Sequence, residues 1–302
     1  MAVSKKINSF FKNPQSLYIK ILQFISPLLK DEPYISLLFR YRAKYKLNLA
    51  NPQTFNEKLQ WLKLYYRKPE LTQLVDKHEV KDYVAKQIGG EFVIPTLGVW
   101  EAFEEIDFTV LPKKFVLKTT HDQGGVVICT DKSKFNYSQA KKKLTKHLKR
   151  NFYYKFREWP YKNVKPQIIA EEFISSEEDV DLKDYKFYCF NGKAKVLFIA
   201  SGRNSKIKKF DFYDINFNHL DIKRPNTIQA KEGNRPPKNY KKMLELAEKL
   251  AGNFPHVRVD FYNIDGSIYF GELTFFTGSG MKPFIPSKWD YEFGKYIKLP
   301  KA

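Results

Sequence analysis

The sequence predicts an α+β fold in which a basic helical region precedes two α+β lobes that meet near residue 165. Three observations support this prediction. The first 88 residues carry apolar side chains at helical spacing, and the chain from Phe92 onward alternates short apolar runs with helical segments. Near the C-terminus, two β-rich runs flank an Asp-Gly turn. We therefore divide the chain into a helical region (1–75), a first lobe (76–165) and a second lobe (166–302).

The N-terminal region is predicted to form short amphipathic helices. Residues 1–50 hold nine lysines or arginines and two acids, with apolar residues at roughly helical spacing around Pro27. Their apolar side is expected either to pack on the body of the protein or to lie on an anionic membrane surface. The segment Thr54-Phe55-Asn56-Glu57 is a capping box that opens a helix, and residues 71–88 indicate another helix that ends at a Gly-Gly pair.

Each lobe is predicted from strand-like runs and a helix. The first lobe has runs at 93–95, 115–118 and 126–129, followed by a lysine-rich helix at about 138–151. The second lobe has runs at 168–173, 185–190 and 195–200, followed by a helix at 237–252 and a closing hairpin.

The composition indicates a globular protein with an acidic partner. At 302 residues and 43% hydrophobic content, the chain can bury a sizeable core. A net charge of +20 points to phosphates, nucleic acid, an anionic membrane or an acidic polymer. Cys129 and Cys189 lie in apolar runs without a histidine at ligand spacing, which argues against zinc and disulfides and fits a reducing cytoplasm. Since no 18-residue apolar run occurs, neither a membrane span nor a secretory signal is predicted.

The closing hairpin is predicted to bring two carboxylates together. Asp260 and Glu272 lie five and six residues from the Asp265-Gly266 turn, in the flanking runs. Two ionised carboxylates side by side repel each other unless a cation or a proton lies between them. A divalent metal such as Mg²⁺, which prefers oxygen ligands, is one explanation. A surface hairpin whose acids pair with lysines is the other.

A lysine and a glycine pair indicate a phosphate site in the first lobe. Lys118 ends a strand-like run and is followed by His121, Gly124 and Gly125 before the next run begins. A lysine and closely approaching backbone N–H groups can hold a polyphosphate. An ordinary turn between strands is the alternative, and His121 fits either a catalytic role or a structural one.

Acids end the first strand of the second lobe. Glu171-Glu172-Phe173-Ile174 leads into a loop that contains Glu178. An acid at such a junction can accept hydrogen bonds from a ribose or an exocyclic amine, and a solvated acidic loop is the alternative. Lys186 and Arg203 add cations that would face the same cleft if the strands lie side by side.

The order of these elements resembles that of the ATP-grasp enzymes, in which two α+β lobes clasp ATP. Asp76-Lys77 stands 17 residues before Ile94-Pro95, which is similar to the family's spacing. The resemblance implies that ATP and Mg²⁺ are the cofactors. Lys77 and Lys118 would then bind phosphates, and Gly124 and Gly125 would form a flexible loop over them.

The same resemblance assigns the remaining site residues. Glu171, Glu172, Phe173 and Ile174 would form the adenine hinge, and Glu178 would bind the ribose. Asp260, Glu272 and Thr274 would be the metal ligands, with Thr274 in the place of the family's usual asparagine. The candidate catalytic residues are Lys118, His121, Lys186, Arg203 and Arg258.

The chain is still more similar to the TupA-like branch of ATP-grasp proteins, which is associated with surface polysaccharide and teichuronopeptide synthesis. The similar segments are 54–61, 157–162, 184–187 and 271–275, and the match covers most of the chain. Threonine at position 274 is familiar in this branch. The resemblance implies an ATP-dependent carboxylate-amine ligase that acts through an acyl phosphate and modifies a surface or capsular polysaccharide or its precursor, for example by amidating a uronic acid with an amino acid.

The expected acceptor is an acidic polysaccharide or a lipid-linked glycan. Residues 141–165 hold ten lysines or arginines and one acid, interleaved with aromatic residues. Aromatic rings can stack on sugars and cations can bind carboxylates, although a helix solvated on one face gives a similar composition. Single-stranded nucleic acid would also suit this composition, but the usual nucleic-acid motifs are missing from the sequence.

Two other functions remain open at this point. A glycosyltransferase of the same kind of pathway is supported by Asp179-Val180-Asp181, an acid pair of the sort that binds a metal and a nucleotide sugar. A non-catalytic basic adapter on a membrane or polymer would leave Asp260 and Glu272 with structural roles.

Overall fold

The computed structural model describes residues 14–175, 182–202, 208–225, 227–230 and 233–301. The α-helices of this part of the chain are α1 (Pro14–Phe24), α2 (Asp31–Ala43), α3 (Phe55–Tyr65), α4 (Glu70–Val75), α5 (Val80–Ile88), α6 (Tyr137–Leu148), α7 (Tyr153–Phe156), α8 (Tyr240–Ala251) and α9 (Lys288–Tyr296). The strands are β1 (Thr96–Trp100), β2 (Phe115–Thr119), β3 (Val126–Cys129), β4 (Ile168–Glu172), β5 (Asp184–Phe190), β6 (Lys193–Ser201), β7 (Lys209–Asp214), β8 (His219–Leu220), β9 (Val257–Ile264) and β10 (Ser267–Thr274). These elements confirm the predicted α+β class.

The first sheet has four antiparallel strands in the order β1-β4-β2-β3. Its strand β2 buries alternate residues, as expected for a sheet with one covered face. Helix α6 covers that face, because its buried residues Ala140 and Leu144 join Phe115 and Leu117 in one core cluster. The glycine-containing loop connects β2 to β3, which is an edge strand of this sheet.

The second sheet has six strands in the order β10-β9-β5-β6-β7-β8. Its central strand β5 is buried almost throughout, because helices cover both faces of the sheet. Cys189 Sγ contacts the carbonyl of Ala247 in α8 on one face. On the other face, Tyr188 packs against Phe55 in α3 and Phe293 in α9. Part of the predicted helical region therefore belongs to the core of the second sheet.

Several sequence predictions are confirmed at the level of local structure. Thr54 Oγ1 accepts a hydrogen bond from the backbone N–H of Glu57 (3.1 Å), and Glu57 Oε2 accepts one from the N–H of Thr54 (3.0 Å), so the capping box is present. Helices α6 and α8 and the β9–β10 hairpin lie within a few residues of their predicted positions. These elements are specified by side chains close to one another in the sequence.

Three predicted boundaries differ from the structure. The helix predicted at 71–88 is divided into α4 and α5, because Asp76 ends α4 and its Oδ1 accepts hydrogen bonds from the N–H groups of His78 (2.7 Å) and Glu79 (3.3 Å) in the turn between the two helices. The run at 93–95 is not a strand, and β1 follows it. Strand β4 pairs with β1 and β2, so the first sheet extends to residue 172, beyond the predicted boundary at 165.

Candidate active site

A cleft of about 490 Å³ lies between the two sheets. One wall is the loop that follows β2, and the opposite wall is formed by β9, β10 and the turn Thr277–Gly280. The lining residues are Arg42, Lys77, Asp122, Gln123, Gly124, Val126, Phe156, Arg258, Glu272, Thr274, Gly278, Ser279, Met281 and Lys282. Four of them are cations and two are acids, so the cleft carries an excess of positive charge.

The two predicted carboxylates lie side by side on the hairpin. Glu272 is the register partner of Asp260, and Thr274 is the register partner of Arg258. A bulge separates Phe270 from Glu272 in this register, and Gly271 occupies it. The hairpin therefore confirms the predicted proximity of the two acids.

The cation between the two carboxylates is the guanidinium of Arg258. Its Nε lies 2.7 Å from Asp260 Oδ1, and its Nη2 lies 2.7 Å from Asp260 Oδ2 and 2.6 Å from Glu272 Oε1. Lys186 Nζ lies 2.5 Å from Asp260 Oδ2. Repulsion between the acids is thus relieved within the protein, whereas the sequence favoured a metal or surface lysines.

The ion pairs and burial act in opposite directions on these groups. Burial raises the pKa of Asp260, although Arg258 and Lys186 favour its charged form. Burial alone would lower the pKa of Arg258, but its two carboxylate partners raise it above the ordinary value. Burial would likewise raise the pKa of Glu272, but Arg258, Lys186 and Lys77 outweigh it and lower that pKa to about 2. Although 45% of the Glu272 side chain is accessible, these cations surround it in the cleft, so the carboxylate is ionised.

The donor set fits Mg²⁺ at Glu272 better than at Asp260. Both Asp260 oxygens accept from Arg258 or Lys186. Glu272 uses Oε1 for Arg258 and for Thr274, whose Oγ1 donates at 3.0 Å, and no described residue donates to its Oε2. Within the described ranges, no group of three acids, histidines or cysteines forms a metal cage. Mg²⁺ typically takes one or two carboxylates together with substrate phosphates, so Glu272 and Thr274 would hold an ion that arrives with its nucleotide.

Lys77 faces the cleft from the turn between α4 and α5. Its Nζ donates to the carbonyl oxygens of Thr119 (3.1 Å), Thr120 (3.3 Å) and Asp122 (2.5 Å). Burial lowers the pKa of Lys77, while Glu272 and Asp122 oppose this effect. The lysine therefore fixes the loop after β2 and also lines the cleft.

The glycine pair allows the loop after β2 to fold tightly. Gly124 has a φ of +91°, a conformation that favours glycine. A Cβ built on Gly125 would lie 1.9 Å from Thr119 Oγ1, so only glycine fits there. Asp122 is paired with Nδ1 of His147 in α6, which ties the loop to the first sheet's helix.

The predicted catalytic residue His121 lies behind this loop and does not line the cleft. It is 2% exposed, and its Nε2 faces the carbonyl oxygens of His147 (3.2 Å) and Arg150 (3.0 Å). Burial lowers its pKa. These contacts favour the structural alternative for His121.

Lys118 and Glu171 form an ion cluster between β2 and β4. Glu171 is paired with Lys118 through one carboxylate oxygen and with Lys81 Nζ at 2.6 Å through the other. Lys81 Nζ also donates to the carbonyl oxygen of Ile94 (2.7 Å). Burial alone would raise the pKa of Glu171, but the two lysines lower it.

The other predicted residues lie near or beyond this region. The backbone N–H of Glu172 donates to the carbonyl of Pro95 (3.1 Å), and the ring of Phe173 lies 6.0 Å from Lys114 Nζ. Ile174 follows them where the chain leaves the first sheet. Their assignment to an adenine hinge remains a prediction. Glu178, Arg203 and the Asp179-Val180-Asp181 pair lie outside the described residues.

Three cations of this region were missed from the sequence. Lys81 lies four residues after Lys77, and that helical spacing could have identified it. Lys282 follows a turn in which Gly278, Ser279 and Gly280 all have positive φ. The two glycines mark this turn in the sequence. Arg42 comes from α2, and nothing in the sequence links it to the cleft.

A TupA-like ATP-grasp family model matches residues 57–298. The chain therefore belongs to the TupA-like ATP-grasp family, and its two sheets with a charged cleft between them are the ATP-grasp fold.

Solved structures of ligases are similar to this chain at low identity. The D-alanine--D-alanine ligase from Bacillus anthracis complexed with ATP has 17% identity and a TM-score of 0.37, over 67% of this chain and 53% of its own. The corresponding ligase from Helicobacter pylori has 19% identity and a TM-score of 0.40, over 80% and 69%. An L-amino acid ligase from Bacillus licheniformis has 15% identity and a TM-score of 0.46, over 82% and 56%. The chain spans a little over half the length of the Bacillus anthracis ligase. No curated protein matches the chain significantly.

Proposed function

We propose that the protein is an ATP-dependent, ADP-forming ligase that activates a carboxylate as an acyl phosphate and transfers the acyl group to an amine or a similar nucleophile. The observation that carries this proposal is the cleft between the sheets, where four cations line the same space as an ionised glutamate whose Oε2 accepts no hydrogen bond from a described residue. Membership of the ATP-grasp family supports the same reaction class.

The charge of the cleft suits a polyphosphate. Arg42, Lys77, Arg258 and Lys282 come from separate parts of the chain and face the same space. Burial lowers the pKa of Lys282, and the neighbouring Arg224 and Arg258 lower it further. A bound phosphate would offset this crowding of positive charge, which makes an anionic ligand favourable.

The proposed reaction has two steps. A carboxylate oxygen of the substrate bonds to the γ-phosphorus of ATP, and the bond from that phosphorus to the bridging oxygen breaks, so ADP leaves. The nucleophile then attacks the acyl carbon and loses a proton, and inorganic phosphate leaves. The protein contributes mainly positioning and charge neutralisation, since no covalent enzyme intermediate is needed.

Individual residues have distinct parts in this scheme. Lys77 and Lys118 would neutralise phosphate charge at the two sides of the glycine loop. Arg258 would stabilise the negative charge that develops on the reacting carboxyl oxygens, because its guanidinium is held rigidly by Asp260. Magnesium, when bound with ATP at Glu272, supplies further neutralisation of the transferring phosphoryl group.

For the acceptor we propose an acidic surface polysaccharide or its lipid-linked precursor, with a uronic acid amidated by an amino acid as the simplest case. The exposed lysines of α6, among them Lys142 and Lys146, support an acidic partner. The aromatic part of the expected surface is smaller than predicted, because Phe152 and Tyr153 are buried and Tyr154 is 37% exposed. Recognition would therefore depend on charge more than on stacking.

A coupled assay with MgATP, a uronic acid and mixed amino acids tests the proposal. We expect ADP and inorganic phosphate in equal amounts, and only when both the uronic acid and an amino acid are present. Release of UDP or another sugar-nucleotide product would establish the glycosyltransferase alternative instead. Absence of both nucleotide binding and turnover would favour the non-catalytic adapter and overturn the proposal.

The surface glycan itself gives a second readout. Mass spectrometry of glycan from cells that lack this protein is expected to show loss of an amide-linked substituent. A shortened sugar backbone would contradict the ligase and support a transferase.

A further inference from the structure

Helix α1 and the 3-10 turn that follows it at Ser26–Leu28 carry apolar residues on two faces. One face packs inward, where Leu22 is buried and Ile25 and Leu29 contact the cluster formed by Tyr34 and Leu38 of α2. This part of the structure confirms the expectation that an apolar side packs on the body of the protein. The second face is much more exposed than the first, and the described residues leave most of it open to solvent.

The second face forms a continuous exposed stripe. Its members are Tyr18, Ile21, Phe24 and Leu28, which are 39%, 52%, 85% and 86% exposed. Tyr18, Ile21 and Phe24 recur every three residues in α1, and Leu28 follows in the 3-10 turn. Isolated exposed apolar residues such as Val110 are normal, but an aligned set of four marks an interaction surface.

Basic side chains border the stripe among the described residues, since Lys20 and Lys30 are exposed and Arg40 and Lys44 line a surface pocket together with Tyr18. The first 30 residues contain five lysines and no acid. Of the two acids that follow in the sequence, Asp31 is paired with Arg157 at 2.9 Å and with Arg67 at 2.5 Å, and Glu32 is exposed. An apolar stripe bordered by lysines is the pattern of a helix that lies in the interface of an anionic bilayer.

The inward face of α1 packs close to the cleft. Arg42, which lines the cleft, is in α2, and Met281 both lines the cleft and packs in the α1–α2 cluster. A surface that holds α1 would therefore hold the cleft nearby.

We propose that residues Tyr18, Ile21, Phe24 and Leu28 insert into the surface of an anionic lipid bilayer and that the neighbouring lysines bind its headgroups. The attachment is peripheral. Among the described residues, every helix is too short or too polar to cross a bilayer. The attachment would present the cleft to an acceptor carried by a lipid, and this consequence rests on the proposed function. The attachment itself does not depend on that function.

Vesicle co-sedimentation of the full chain tests this proposal without ATP or acceptor. The protein is expected to pellet with phosphatidylcholine vesicles that contain about one-third phosphatidylglycerol, and to pellet weakly with pure phosphatidylcholine. Replacing both Phe24 and Leu28 by Ser removes apolar area without changing charge, so the partition coefficient should fall about tenfold or more. Raising the salt to about 0.5 M should also weaken binding, because the lysine attraction is screened.

The matched control replaces Val110 and Ile128, which are 71% and 55% exposed, by Ser. This double variant should bind vesicles within about twofold of the wild type, since scattered surface residues do not form the stripe. Unchanged melting temperatures in both variants exclude misfolding as the cause.

Three kinds of result would overturn the proposal. The first is a vesicle assay in which the wild-type protein stays in the supernatant with anionic vesicles, or in which the double Ser variant at Phe24 and Leu28 binds as well as the wild type. The second is a dimer in light scattering that these substitutions dissociate, which would identify a second copy as the occupant. The third is a loss of thermal stability in that variant when the wild type does not bind vesicles either, which would identify the stripe as a packing surface within the protein.

Discussion

Replacing Glu272 by Gln is expected to remove ATP turnover while leaving the fold intact. The substitution keeps the shape of the side chain and its contact with Thr274, but it removes the negative charge that would hold Mg²⁺. Because the pKa of Glu272 is about 2, that charge is present throughout the neutral range in the wild type.

The expected effects of this substitution on stability and on turnover differ in size. Arg258 keeps its two 2.7 Å contacts with Asp260 when Glu272 is lost, so no buried charge is left without a partner. The Glu272 side chain is 45% accessible, and the free energy of unfolding should therefore fall by less than about 1 kcal/mol. The loss of a preorganised charge at the phosphoryl group should reduce turnover about 100-fold or more, which is ~2.7 kcal/mol in the barrier.

ADP release and urea unfolding, measured on the same preparations, check both numbers. Glu292→Gln is the matched control, since Glu292 is 43% accessible and is paired with Lys295 at 2.7 Å in α9, away from the cleft. The control should match the wild type in both assays. Near-normal ADP production by the Glu272 variant would refute the assignment of this residue.

Three further predictions concern the supports of the site. Glu171→Ala leaves two largely buried lysines without their carboxylate, so the free energy of unfolding in urea should fall by about 3 kcal/mol. Gly125→Ala places a Cβ against a threonine hydroxyl and should weaken ATP binding at least about tenfold in calorimetry, because the loop must move. His256 has a pKa lowered to about 3 by burial, against an ordinary value of 6.5, so the unfolded chain binds the proton first as the pH falls. The protein should lose about 2 kcal/mol of stability from this group between about pH 7 and pH 5, measured by urea unfolding.

Each of these predictions has a control or a contradicting result. Glu101→Ala removes an exposed partner of Lys165 and should cost less than about 1 kcal/mol, so an equal cost at Glu171 would contradict the buried cluster. Gly90→Ala meets no atom within 4 Å and should leave ATP binding unchanged. A His256→Gln variant should have a flatter pH profile than the wild type, and an unchanged profile would exclude His256 as the titrating group.

Local patterns in the sequence predicted much of the fold because neighbouring side chains determine it. The Thr54–Glu57 capping box and the β9–β10 hairpin each depend on residues within a short span, and both are present. The apolar spacing does not predict the break between α4 and α5, because the break depends on hydrogen bonds that Asp76 accepts in the turn after α4. The pairing of β4 with β1 and β2 could not be predicted from apolar runs alone, because these partners are far away in the sequence.

In the candidate site, too, the features set by residues close in the sequence could be predicted, and those set by distant contacts could not. Asp260 and Glu272 were placed together correctly, since one turn fixes their register. Their immediate cation also has a signal in the sequence, because Arg258 and Asp260 are two residues apart on one strand and therefore share a face, although repulsion between the acids points first to a metal. Lys81 and Arg42 reach the site through contacts between distant elements, which one sequence does not specify.

Calorimetric titration of the wild-type protein with ATP, in the presence and absence of Mg²⁺, tests most directly whether the cleft is a nucleotide site. We predict binding at one site per chain that is strengthened by Mg²⁺ and weakened at least about tenfold by Lys77→Met, which removes a cation that lines the cleft. No ATP binding by the wild type, or equal binding by the Lys77 variant, would contradict this prediction.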